Sequence, residues 1–476
     1  MNYLKLFFLL FLISIPLDIV SSPWIPSDNI KYNLIKFNLT KLCSYNLQEN
    51  HISQIPIINI INQINNIDSD NIECNSYIDE VRTFLRNFSI DKTTAIGFQS
   101  DSDDLFMNDR SHRYSSNGNF FVEIKDLNNR LSYNLKVSKY KNQTIFDDSY
   151  IAFKRKNTVI QFGKVTRWWS PSENSSLIMS NSASPPLTFS IKNYGHSQIK
   201  NFNFISNINY EVFISKLERG REIPNTRLFG NKFNFTLFDK VEMSLMRVAQ
   251  FGGKGRPMNS DNILRMISGK DNTNRNLSRI DQSGNQIAGI DFSTNIFKNN
   301  NGRMYFQLIG EDGLDPIIDD RWIGAIFPSK RFSLGGLSYN FLSTKNPTTL
   351  IFEHINTDTG FKNVTYNHSL YKTGYRYKGF PIGETTDTDS HRSLIALKKY
   401  YNDSYLKISF QKMNINQNLS ERTRWGNNNI KNNEITIRYT KNFKEKYCLS
   451  MVFVKRNTND QIYSNHLFFI NFEKRI

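Results

Sequence analysis

The chain has 476 residues, 39% of them hydrophobic, and carries 60 Lys and Arg against 43 Asp and Glu for a formal charge of +17. Its 3 Cys exclude a disulfide scaffold, and 37 Phe, 22 Tyr and 5 Trp are too many large rings for an unfolded chain. Beyond the N-terminus no apolar run reaches the roughly 18–20 residues of a spanning helix, which leaves a large soluble β protein or an outer-membrane barrel with its apolar residues spread over alternate positions.

Residues 1–21 read as a secretory signal. Lys5 supplies the positive start, Leu6 to Ile13 open the apolar stretch, Pro16 breaks it, and Val20-Ser21-Ser22 offers small residues for cleavage after Ser21. Export makes the surroundings oxidising, so Cys43 and Cys74, 31 positions apart, can pair; free buried thiols fit as well. Residues 22–92 form the next unit. Ile35, Leu39 and Leu42, then Ile57, Ile60, Ile61 and Ile64 after Pro56, follow helical spacing. Ser76 with Asp79 resembles a capping box, and Ile78, Val81, Leu85 and Phe88 share a face behind it. Two or three short amphipathic helices are predicted.

From about Ile96 the period changes to two. Leu131, Tyr133, Leu135 and Val137 alternate with Ser132, Asn134 and Lys136. Phe233 and Phe235, Leu406, Ile408 and Phe410, and Ile435, Ile437 and Tyr439 follow the same pattern, with Asn-rich turns between such runs. The alternation continues to the C-terminus without a linker, and charged residues sit on the polar face, as a wet lumen permits. His466, Phe468, Ile470 and Phe472 end the chain on one face. At roughly 40 residues per hairpin, residues 93–476 hold about 18 strands. The predicted fold is an all-β transmembrane barrel of about 18 antiparallel strands with a small N-terminal α-helical plug on the periplasmic side.

Several blocks resemble the capsule-assembly Wzi family of outer-membrane lectins. Ser22-Pro23-Trp24-Ile25-Pro26 is similar to that family's mature start. The clearest match is Gly163-Lys164-Val165-Thr166-Arg167-Trp168-Trp169-Ser170-Pro171 followed by Ser176-Leu177-Ile178-Met179-Ser180-Asn181. Ser170 and Ser182 depart from the family's usual Gly and Asn. Arg227 to Gly230, Ala249 to Pro257, Gly310-Glu311-Asp312 and Gly374 to Gly379 with Pro381-Ile382-Gly383 match in order. The resemblance implies an 18-stranded barrel closed by a helical bundle, and a surface lectin that holds capsular polysaccharide without enzymatic activity.

Glycan sites combine flat rings with planar donors, and Arg presents a rigid fork for carboxylates. Arg167, Trp168 and Trp169 offer that combination, as do Tyr375, Arg376 and Tyr377, with Arg256 in a basic Gly-rich turn. Trp and Tyr also mark membrane interfaces, and such blocks equally serve packing. Asp315, Asp319 and Asp320 near Glu311 and Asp312, and Asp387 with Asp389, read as solvated loops rather than calcium ligands. No nucleophile elbow or zinc helix is present. The expected partners are an acidic capsular or exopolysaccharide and outer-membrane lipids, with no nucleic acid, metal or cofactor, for a monomer. The basic excess suits an acidic polymer, although the chain's general Asn, Lys, Ile and Phe richness accounts for it too. A porin-like channel for anionic saccharides is the rival reading.

Overall fold

The computed structural model describes residues 24–26, 30–45, 47, 54–65, 67, 70–87, 92–99, 119–126, 131–140, 143–155, 157–193, 204–268, 284–297, 301–314, 328–342, 346–443, 447–460 and 465–475. The signal-like segment 1–21 and Asp315, Asp319 and Asp320 lie outside them.

Antiparallel strands close into a single barrel that begins with Lys92–Gln99 and ends with His466–Arg475, hydrogen-bonded to each other. The short strand Gln143–Ile145 and the strand Tyr150–Arg155 both pair with Leu131–Tyr140, so they share one place in the wall. Counted that way, the described barrel has 18 wall positions, as the hairpin arithmetic predicts. The alternation reads as expected: Leu131, Tyr133 and Leu135 face out and are exposed, while Ser132, Asn134 and Lys136 are buried inside. Phe162, Phe189, Phe352, Phe410, Phe453 and Phe468 belong to the same outward apolar band. An apolar exterior over a polar interior is the pattern of a lipid-spanning barrel, since hydrocarbon tolerates only a closed sheet with every backbone group paired. No helix among the described residues is long and apolar enough to cross a membrane.

The two ends differ. At one end the connections are tight, such as 156–157, 238–240 and 401–403. At the other they are long, including 165–186, 252–283, 357–390 and 416–429. The helices α1 (Ile30–Cys43), α2 (Ile57–Asn65) and α3 (Ile72–Asn87) gather at the tight-turn end. They share a core of Tyr32, Ile35, Leu39, Ile60, Ile64 and Val81. The start of α3 differs from the expectation. Asn71, not Ser76, is its cap: the Asn71 Oδ1 accepts the Glu73 and Cys74 N–H groups at 2.9 and 3.3 Å. Asn shares the short side-chain acceptor that makes Ser a cap, and Ser76 falls inside the helix.

Cys43 at the end of α1 and Cys74 in the first turn of α3 form a disulfide, and Cys448 is a buried free thiol. Closing a loop with a separation of 31 residues stabilises the helical segment by about 3–4 kcal/mol on the chain-entropy estimate. Thiol titration of denatured, unreduced protein is therefore expected to find one reactive group, Cys448; three would break the assignment.

Candidate functional site

Two of the chain's own loops pack inside the barrel. The first inner loop, 165–186, enters from the long-loop end and packs Trp169, Leu177, Ile178 and Met179 against wall residues Phe213, Val248, Ile309 and Leu334. The second inner loop, 357–390, adds Tyr366, Tyr375, Tyr377 and Ile382 to the same core. The two loops are tied together. The Tyr375 hydroxyl donates to the Ile178 carbonyl at 2.8 Å, the Tyr366 hydroxyl to that of Leu177 at 2.5 Å, and the Ser180 N–H to that of Ile382 at 2.9 Å. Gly374 is the glycine this packing requires. Its φ is 73°, and a Cβ there would collide with the Tyr366 carbonyl and the Arg376 guanidinium.

Arg167, Trp168 and Trp169 lie just past the strand Thr158–Lys164, as expected, but they point into protein rather than solvent. Glu211 on the strand Ile205–Lys216 gathers them. It accepts from Arg167 Nε at 2.8 Å and Trp169 Nε1 at 3.1 Å, and pairs with Lys192 at 3.4 Å. The Arg167 guanidinium lies 4.5 Å from the centre of the Phe213 ring, and Trp168 Nε1 donates to the Ser172 carbonyl at 2.6 Å. Deeper in the lumen the Gln307 side chain holds the Leu177 N–H and the Trp169 carbonyl, at 2.8 and 2.6 Å. Glu353 accepts from Ser172, Ser175 and, at 2.9 Å, Tyr305. Lys398 reaches Glu173.

The block around Arg376 is equally committed. Arg376–Tyr377 pairs with Phe380–Pro381 across a Lys378-Gly379 turn, both residues having positive φ, which suits a tight hairpin. The Arg376 fork grips Asp387 at 2.9 and 2.6 Å and also donates to Asn367 and the Arg422 carbonyl. Asp387 and Asp389 are therefore corrected from solvated to fully buried. Asp387 is neutralised by an Arg eleven residues away, a pairing that loop composition does not reveal. Asp389 accepts from Ser420, and burial pushes its carboxyl above the usual range. Glu311 is likewise buried in the wall, where it accepts the Tyr366 N–H. Glu384 sits beside Arg392, with its carboxyl raised by burial.

At the loop mouth basic side chains lie over rings, of which Tyr371 and Trp425 are themselves buried. The Arg424 guanidinium stands 4.6 Å from the Phe380 ring and 4.1 Å from that of Trp425. Arg256 lies 5.5 Å from the Tyr371 ring, on a turn where Gly252, Gly253 and Gly255 all have positive φ. Lys378 lies over Tyr377 at 5.7 Å. Arg424 and Trp425 were not singled out from the sequence. The signal available was an Arg beside a Trp, the same adjacency as Arg167-Trp168, in a stretch dominated by its Asn-rich turn.

Beneath the first inner loop, at the tight-turn end, is a polar cavity of about 1160 Å³. Lys36, Thr40 and Tyr45 from the helical segment line it, opposite Asp239, Glu242, Arg303 and Lys398 of the barrel. Burial, then Glu242 and Asp239, push the Tyr45 hydroxyl up to about 12. Among the described residues no group of three or more His, Cys, Asp or Glu is placed to hold a metal.

Fold and interior define a class: a lipid-spanning β-barrel with two of its own loops packed inside, a helical segment at one mouth and guanidiniums stacked on rings at the other. A family model described as capsule assembly protein Wzi matches residues 94–461, and the chain belongs to that family. An uncharacterized 55.8 kDa protein in the cps region of Klebsiella pneumoniae is 27% identical over 193 residues, 40% of this chain and 36% of that protein, so the match spans about a third of that relative's length. Among solved structures, Wzi of Escherichia coli is described as an outer-membrane protein involved in group 1 capsule assembly and a carbohydrate-binding β-barrel. It matches with a TM-score of 0.77 at 17% identity, covering 95% of this chain and 99% of that one.

Proposed function

We propose that this protein is an outer-membrane lectin that holds a capsular or exopolysaccharide at the cell surface and assists capsule assembly. Residues 1–21 direct export and are removed. Residues 22–92 form a helical plug and 93–476 the barrel. Short turns on the inner side and long loops outside are the rule for such barrels, which puts α1–α3 in the periplasm and the Arg424 surface outside.

The observation that carries the reading is the mouth cluster of Arg424 over Phe380 and Trp425 with Arg256 over Tyr371. The Tyr371 and Trp425 rings are buried and support the guanidiniums from below, and a stacked guanidinium keeps its edge for a carboxylate. That pairing favours an acidic polymer. A repeating polymer engages many copies at once, so weak single sites suffice, and a monomer is enough. Of the seven residues singled out from sequence, Arg256 is assigned to ligand contact. Arg167, Trp168, Trp169, Tyr375, Arg376 and Tyr377 are assigned to holding the inner loops. The residues packed across the lumen support a stopper rather than an open channel, and binding without catalysis needs no cofactor.

The test is polymer retention in a capsulated host lacking the protein. The Arg256→Ala/Arg424→Ala variant is expected to release at least half of the cell-bound polymer to the medium, at unchanged total amount and unchanged heat-dependent gel mobility of the barrel. Retention equal to the wild type would reject the mouth as the binding surface.

A further inference from the structure

Charge is sorted across the barrel wall. Every strand carboxylate whose side chain is described points to the interior, Glu211, Asp291, Glu311, Glu353 and Glu434 among them. Outward-facing charges on these strands are basic. At the long-loop end they include Lys216 facing Arg227, and exposed Lys412, Lys431 and Lys455 on the three successive strands Ser404–Ile415, Ile430–Phe443 and Tyr447–Thr458, with the exposed imidazoles of His354 and His466 to either side. Lys412 faces Asn433 and Asn414 faces Lys431, which sets the two lysines diagonally on adjacent strands. Lys455 faces His466 across the next pair.

Height is the second regularity. His354 stands two residues beyond exposed Phe352, Lys412 beyond Phe410, Lys455 beyond Phe453, and His466 beyond Phe468. Two residues along a strand are about 7 Å. Lys412 and Lys455 therefore form a strip one outward position above the apolar band, with Lys431 one outward position higher, where hydrocarbon gives way to head groups. Among the described residues no carboxylate lies within ion-pair distance of Lys412, Lys431 or Lys455.

We propose that this strip binds the phosphate groups of an anionic lipid in the surrounding leaflet. The occupant follows from continuity and charge. Acyl chains that cover Phe352, Phe410 and Phe453 place their head groups level with the strip, and phosphates there meet cations with no competing carboxylate. A polymer seated on the mouth is not opposite these residues, because they face sideways from the wall. Lysine suits this height on the wall, because its long apolar stem lies along the band while the ammonium follows the head group. Carboxylates in the same ring would repel the leaflet, which gives a physical reason for their confinement to the interior.

The experiment is native mass spectrometry of the full folded chain released from detergent. The probes are a diphosphorylated glycolipid, the same glycolipid with its phosphates removed, and inorganic phosphate. The wild type is expected to retain the phosphorylated lipid at least tenfold over the dephosphorylated one. Lys412→Gln/Lys431→Gln/Lys455→Gln is expected to bring the two to parity, and the corresponding Lys→Arg variant to keep the preference. Equal retention of both lipids by the wild type, or an undiminished preference in the Gln variant, would overturn the proposal. So would displacement of the lipid by inorganic phosphate at equal concentration, which would mark a small-anion site. The wild-type comparison decides alone if the triple variant does not fold. The outcome is separable from the polymer-retention test, whose readout does not involve the leaflet.

Discussion

Replacing Glu211 by Ala is expected to cost the barrel about 3–5 kcal/mol, the size of effect seen when one partner of a buried ion pair is removed. Glu211 is the joint between wall and first inner loop, and its loss strands two cations. Arg167 and Lys192 expose only 3% and 10% of their side chains, so water cannot replace the carboxylate. The Trp169 N–H loses its acceptor as well. The denaturant midpoint in detergent is expected to fall, with faster proteolysis within 165–186. Exchanging the whole cluster for apolar residues, Glu211→Leu with Arg167→Met and Lys192→Met, should recover most of the loss, since a packed apolar replacement of a buried ion cluster is often neutral or better. A midpoint unchanged in Glu211→Ala would mean that the ion cluster does not hold the loop.

The second large effect is expected at Asp387. Its carboxylate takes both arms of the Arg376 fork and, at 3.0 Å, the Arg424 backbone N–H, while Arg376 in turn holds the Arg422 carbonyl. One buried group thus sets the position of the mouth segment that carries Arg424 and Trp425. Asp387→Ala leaves a guanidinium buried without its counter-charge, again about 3–5 kcal/mol, here spent locally on the docking of 357–390 and 416–429. The expected result is polymer retention as poor as in the Arg256→Ala/Arg424→Ala variant, with new protease sites in these two loops and a wall that still migrates as folded barrel. Asp387→Asn keeps an acceptor but not the charge, and should fall between. Full retention and protease resistance in Asp387→Ala would show that the mouth is positioned by other contacts.

The wall was legible because its physics is local. Phe233, Phe410 and Ile435 face lipid, their neighbours face the interior, and a period of two records both environments residue by residue. The helices were legible in outline for the same reason, although the cap at Asn71 was missed because Ser76 with Asp79 imitates a capping box. The interior was not legible, because its partners meet only after the sheet has curved. Arg167 lies 44 residues from Glu211, Ser172 lies 181 from Glu353, and Tyr366 lies 189 from Leu177. An Arg between aromatic residues looks the same whether it awaits a sugar acid or already holds a carboxylate of its own chain. Asp387 and Asp389, flanked by Thr, look solvated until Arg376 and Ser420 are placed beside them.

The ties between the two inner loops also dictate an order of assembly. Ser182 and Thr385 share a hydrogen bond across 203 residues, and the eight strands from Leu187–Asn193 to Thr348–Asn356 lie between the two loops in the chain. Contacts of such separation form late, after the entropy of closing the intervening chain has been met. The two inner loops therefore join only once that half of the wall has bent into an arc, and a variant that delays the bending leaves Leu177, Ile178 and Tyr366 wet for longer.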